Sequence, residues 1–314
     1  MIEPMTKSTA QAAALALARG EEVQVLGLEE IRATLDERGA LDGMPFMPEM
    51  ERFAGRRARV WRRADRVCVE GAPTMRRLRD TVFLEDLRCD GAAHGGCQRE
   101  CLLMWKEAWL RRPTEGPRQA PAPRATNASS PPPAAAKGDG FFCQSTELLA
   151  ASEPLAAWRP GQYLRDLATG NLSVAELARA FAATLGYKAE SLAARLSRRA
   201  RAPRTPSERL GLAPGDWVVV KNLSEIEATL DAKQSNRGLE FSPGMSAYCG
   251  RRMRVSRRLE RIILEATGEM RDLRDTVLLE NAYCDGACSR GCPRASTLYW
   301  REIWLRRAPP KEIL

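Results

Sequence analysis

The sequence predicts a mixed, mainly β protein: two small barrels of the SH3 type, each carrying a metal-binding cysteine loop, joined by a helical module. Three observations lead there. Residues 20 to 112 recur at 215 to 307 without a gap, and 46 of the 93 positions are identical, so each copy is a whole folding unit. Each copy contains short alternating runs and a long hairpin pattern. Most of the nine cysteines cluster behind that hairpin.

Residues 1–19 read as an N-terminal helix or tail, with Ala12 to Ala18 as its apolar stretch. This stretch lacks a basic leader, because Glu3 offsets Lys7. Repeat 20–112 follows. Residues 113–140 form a Pro/Ala-rich linker that includes Pro131-Pro132-Pro133. A helical module at 141–200 contains the capping box Ser173-Val174-Ala175-Glu176, with Leu177, Phe181 and Leu185 on one apolar face. Gly170-Asn171 ends a preceding helix whose inward residues are Tyr163, Leu164 and Leu167. A short linker at 201–214 precedes repeat 215–307, and 308–314 is a tail.

Within the second copy, Trp217-Val218-Val219-Val220 alternates as a strand, and Ser224-Glu225-Ile226-Glu227 reads as a capping box opening a short helix. A strand from about Arg251 to Glu265 turns at Thr267-Gly268-Glu269 and returns over Thr276 to Cys284. In Tyr299 to Leu305, a period of two and a spacing of four both put the tryptophans on one face, so strand and helix remain open.

Nine cysteines, an odd number without a signal peptide, indicate reduced thiols and a cytoplasmic protein. Clustered reduced thiols indicate metal. If the hairpin turns near 267 to 270, Cys249 falls at the end that carries Cys284, Cys288 and Cys292, and four thiolates suffice for a tetrahedral zinc. The first copy has Ala54 in place of Cys249 and Ala93 in place of Cys288, and offers Cys89, His94, Cys97 and Cys101 instead. Cys68 lies about 23 Å along the sheet from Cys89 by strand rise, so it reads as a buried strand cysteine outside the site. Two zinc sites are the expectation, with an iron-sulfur cluster as the alternative.

Net charge +9 suggests nucleic acid, but the first repeat balances 17 basic against 17 acidic residues. The second has 16 against 13, and much of the excess sits in Arg195, Arg198, Arg199, Arg201 and Arg204 between them. The arginines at 56, 57, 59, 62, 63 and 66, with their counterparts at 251, 252, 254, 257, 258 and 261, could serve nucleic acid but have internal carboxylates to pair with. Asp80, Glu85 and Glu107, with Asp275, Glu280 and Glu302, read as ion-paired framework residues. Cys143 precedes a helix without a base nearby and reads as a packing residue. No Walker, dinucleotide-binding or HExxH motif occurs, and no apolar run reaches membrane-span length.

Tyr248-Cys249-Gly250-Arg251-Arg252, Cys292-Pro293-Arg294-Ala295, Tyr299 to Leu305 and Cys143 to Leu148 resemble motifs of an uncharacterised bacterial family of cysteine-rich proteins. Cys89-Asp90-Gly91, Ala93 to Cys97 and Trp105 to Leu110 resemble a second branch of the same group. Members often sit near biosynthetic genes, so the resemblance implies an accessory role and no particular reaction. The expectation is a non-catalytic, zinc-stabilised binding protein with a protein partner. An iron-sulfur or thiol-dependent enzyme and a nucleic-acid-binding protein are the alternatives.

Overall fold

The computed structural model describes residues 14–70, 72, 74–113, 140–156, 158–196, 205–286 and 289–308. Most of the expected linker, the arginine run from Arg198 to Arg204, the C-terminal tail beyond residue 308 and Cys288 lie outside the described residues.

Each repeat folds as one curled five-stranded antiparallel sheet. In the first, Glu22–Val25 pairs on one side with Arg57–Arg63 and on the other with Leu110–Arg111. Thr81–Arg88 and Leu102–Lys106 extend the sheet beyond Arg57–Arg63. The second repeats this order with Trp217–Val220, Arg252–Arg258, Thr276–Tyr283, Thr297–Arg301 and Leu305–Arg307. Alternation explains the strands: in both Glu22–Val25 and Trp217–Val220 the second and fourth residues are buried, the period expected of a sheet with one covered face.

The tryptophan segment, ambiguous from spacing, is a strand broken by one 3-10 turn. Thr297–Arg301 is extended, Glu302–Trp304 turns, and Leu305–Arg307 is extended again. Both readings of the spacing fit because the turn resets the phase, and Trp300 and Trp304 are both fully buried. Phe241 meets them edge-on with centroids 6.4 and 5.3 Å away, and Phe46 meets Trp105 and Trp109 at 6.4 and 5.3 Å. Trp109 Nε1 donates to Thr34 Oγ1, and Trp304 Nε1 to Thr229 Oγ1, both at 3.0 Å.

The hairpin turns slightly ahead of the expected place, since Met270 already pairs with Ile263, and each arm is broken in two: Arg252–Arg258 and Arg261–Ile263 going out, Met270–Asp272 and Thr276–Tyr283 returning. Leu264 N donates to Glu269 O at 2.9 Å, and Gly268 adopts φ +75°, a conformation open to glycine without strain. The short helix after the first strand of the second repeat starts earlier than its expected capping box. Asn222 is the N-cap, its backbone N–H donates to Glu225 at 3.0 Å, and the helix is Leu223–Glu227.

Between the repeats lie the helices Gln144–Glu147, Gly161–Ala168 and Val174–Leu196. The Ser173 capping box forms as read: Ser173 N donates to Glu176 at 2.7 Å, and Glu176 N to Ser173 Oγ at 3.1 Å. The expected apolar faces do not both turn inward. Leu164, Phe181 and Leu185 are exposed, whereas Asp166, Ala180 and Thr184 are buried. Polar attachment explains the difference, because Asp166 receives the buried Arg66 at 2.6 Å and Asn171 Oδ1 accepts from Arg63 N at 2.7 Å. Ahead of Gly20, Leu15 and Leu17 belong to the first core, and Leu210 and Leu212 stand in the same relation to the second.

The two repeats meet through contacts that recur reciprocally when position n is exchanged with n + 195. Ile263 N donates to Cys97 Sγ at 3.3 Å, and Cys68 N donates to Cys292 Sγ at 3.3 Å. Arg99 reaches Ile263 O at 2.9 Å, and Arg294 reaches Cys68 O at 2.9 Å. Glu70 N donates to Glu265 at 3.0 Å, and Glu265 N to Glu70 at 3.4 Å. Such reciprocity is the signature of an isologous dimer interface, here built within one chain.

A candidate metal centre in the first repeat

The site begins with two local structures. Thr81–Arg88 delivers Cys89 at its end, where Cys89 N donates to Cys101 O at 2.9 Å. The loop then doubles back through Gly91, at φ +73°, whose N–H donates to Cys89 Sγ at 3.3 Å. His94 N and Gly96 N both donate to Gly91 O, so the loop holds His94 over the cysteine. From the other side, Pro48–Phe53 forms a 3-10 turn that presents Glu49.

These three side chains converge. Cys89 Sγ lies 3.2 Å from Glu49 Oε1 and 3.3 Å from His94 Nε2, and His94 Nδ1 lies 3.6 Å from the same carboxylate oxygen. All three ligand atoms fall within 4.8 Å of one another. Zinc–ligand bonds of about 2.0–2.3 Å in a tetrahedron place neighbouring ligands about 3.3–3.6 Å apart, close to the 3.2 and 3.3 Å that separate Cys89 Sγ from Glu49 Oε1 and His94 Nε2. Glu49 Oε2 and His94 Nδ1 are buried without a hydrogen-bond partner. A buried polar atom left so costs stability unless something binds it.

The cavity beside this triangle is lined by Cys97, Cys101 and Cys143 in addition to Cys89, and by Met47 and Met104. Burial pushes the Cys89 thiol far up, with further help from Glu49 and Cys101, and pushes Cys97 up as well. Burial lowers His94, against the pull of Glu49 and Asp90. Without a cation, the centre is therefore a neutral thiol beside a neutral imidazole. A bound cation would reverse this at Cys89 by favouring thiolate.

Of the residues singled out from sequence, Cys89 and His94 come together, while Cys97 and Cys101 line the adjoining cavity. Glu49 was missed, because nothing in its local sequence separates it from other surface-type carboxylates. Cys143 packs in the first core, and burial raises its thiol to about 11, in keeping with a packing role.

The second repeat is built differently. Gly244, Ser289 and Ser296 stand where the first has Glu49, His94 and Cys101. Cys249 and Cys284 both pack against the second core, and Tyr248 Oη donates to Tyr283 O at 3.1 Å, so they sit at the same end of the hairpin. Cys292 points elsewhere, with its Sγ 3.3 Å from Cys68 Sγ of the first repeat. Strand rise separates Cys68 from the cysteines of its own repeat, but its partner comes from the other repeat. Cys68 is half-buried, just past the bridge residue Val67. Among the described residues, the Glu49, Cys89 and His94 group is the only set of this kind.

The duplicated carboxylates Glu107 and Glu302 are framework residues. Glu107 accepts from Ala16 N at 2.8 Å and pairs with Arg63. Glu302 accepts from Gly211 N at 2.8 Å and pairs with Arg258 at 3.1 Å. Several arginines of the two runs are likewise paired internally: Arg62 with Glu176 at 3.1 Å, Arg66 with Asp166 at 2.6 Å and Arg257 with Glu100 at 2.9 Å. No helix among the described residues is long and apolar enough to cross a membrane. No protein-family model, curated protein or solved structure matches the chain, which is consistent with an uncharacterised family.

Proposed function

We propose that this is a non-catalytic binding protein whose first repeat is clipped by one zinc ion, and whose two barrels act as a single internally paired scaffold for a protein partner. The convergence of Glu49, Cys89 and His94 around two unpartnered buried atoms carries the reading. Cys101, on the wall of the same cavity, is the fourth ligand in this reading. A buried centre closed by four protein ligands is the arrangement of structural zinc, whereas catalytic zinc keeps a position open to water.

The strand order, with a 3-10 turn before the last strand, supports assigning both repeats to the SH3 type. The helices between them serve in this reading as the joining module. An accessory role in the cytoplasm agrees with the family resemblance and the abundance of free thiols.

Elemental analysis of anaerobically purified protein, combined with a visible spectrum, tests this reading. The expected result is a colourless protein with about one zinc per chain, lost in His94→Ala. A brown protein that bleaches on reduction would establish the iron-sulfur alternative instead. A folded wild-type protein without metal would refute both.

A further inference from the structure

We propose that Cys68 and Cys292 form a thiol–disulfide site across the repeat junction, with low-molecular-weight disulfides as its oxidising substrates. The two sulfurs lie 3.3 Å apart, with the Cys292 thiol donating to Cys68, and the backbone N–H of Cys68 also donates to Cys292 Sγ at 3.3 Å. A disulfide between them requires the sulfurs to close to a bonded separation of about 2.05 Å. The symmetry of the junction isolates the feature. At the equivalent contact Cys97 Sγ receives the N–H of Ile263, so the junction forms equally well with an apolar residue at that place.

The surroundings divide the work between the two sulfurs. Cys68 is half-buried and Cys292 is buried, so a reagent reaches Cys68 first. The Cys292 thiol and then the Arg294 guanidinium draw Cys68 toward thiolate, while its donation to Cys68 and its burial hold Cys292 as the thiol. Arg294 is fixed there by Glu265 at 2.6 Å and by Cys68 O at 2.9 Å.

In the reaction the Cys68 thiolate attacks one sulfur of the small disulfide, forming a mixed disulfide and expelling one thiolate, which takes up a proton. Cys292 then loses its proton and attacks Cys68 Sγ, forming the protein disulfide and expelling the second small thiolate. Two protein thiols are oxidised and one small disulfide is reduced to two thiols.

The test incubates the reduced full-length protein with oxidised glutathione, alkylates the remaining thiols and maps the peptides by mass spectrometry. A Cys68–Cys292 linked peptide is expected, with two fewer alkylated cysteines of the nine. In Cys292→Ser, glutathione is expected to remain on Cys68. Cys68→Ile, which copies the other side of the junction, is expected to fold normally and to leave Cys292 alkylated. The inference is overturned if wild-type Cys68 and Cys292 are both recovered alkylated after other cysteines have oxidised, or if glutathione stays on wild-type Cys68. The wild-type map and Cys68→Ile decide the matter even if Cys292→Ser does not fold.

Discussion

His94 is the chain's single histidine, and its ring is buried between a thiol and a carboxylate. Its rarity and its place five residues after Cys89 made it legible as a ligand candidate. Glu49 was not legible, since its partnership with Cys89 spans 40 residues and depends on a 3-10 turn meeting a loop. In Glu49→Gln the buried amide replaces an anionic ligand, and zinc affinity measured by chelator competition should fall at least tenfold, roughly the lower loss seen when even indirect metal partners are removed. The framework carboxylates act on stability instead. Glu107→Ala leaves Arg63 with Asp65 as its one ion-pair partner and frees two backbone donors, so urea unfolding should show a loss of about 3 kcal/mol. Glu302→Ala frees three backbone donors, those of Leu210, Gly211 and Leu212, while Arg258 is more open to water than Arg63, so its loss should be of similar size.

At the scale of the element, each cysteine loop closes on its own backbone at a glycine. A Cβ at Gly91 would lie 1.9 Å from Cys97 O, and one at Gly286 would lie 2.2 Å from Cys292 O. Both glycines are at positive φ, +73° and +72°. Gly91→Ala should therefore break the loop, losing about 2 kcal/mol or more together with metal binding, while Gly286→Ala should destabilise the second loop and leave metal content unchanged. Thermal melts alongside elemental analysis separate the two outcomes. The strands, the hairpin turn and the Ser173 cap were legible because each is fixed by local alternation, a glycine or a side chain three residues away. The inward face of Val174–Leu196 was not. Spacing pointed to Phe181 and Leu185, but contacts made through Asp166 and Asn171 set how this region docks.

At the scale of the molecule, the duplication was legible and its consequence was not. Gap-free identity reveals two copies but carries no information about a face between them. Charged groups at that face give it a pH dependence. Against the burial that would raise it, Arg294 and then Arg99 hold the Glu265 carboxyl below its ordinary 4.5. Its contribution is therefore complete above about pH 4.5 and is lost as the pH falls through the lower folded value. Melting temperature should drop through that acid window, and Glu265→Gln should flatten the drop while lowering stability at neutral pH.

The pairing also joins unequal halves, since Gly244, Ser289 and Ser296 stand in place of Glu49, His94 and Cys101 of the proposed zinc site. Titrating metal-stripped protein with zinc against a competing chromophoric chelator tests this asymmetry most directly. The account requires one tight equivalent per chain, abolished by His94→Ala. Two tight equivalents, or one that survives His94→Ala, would contradict it.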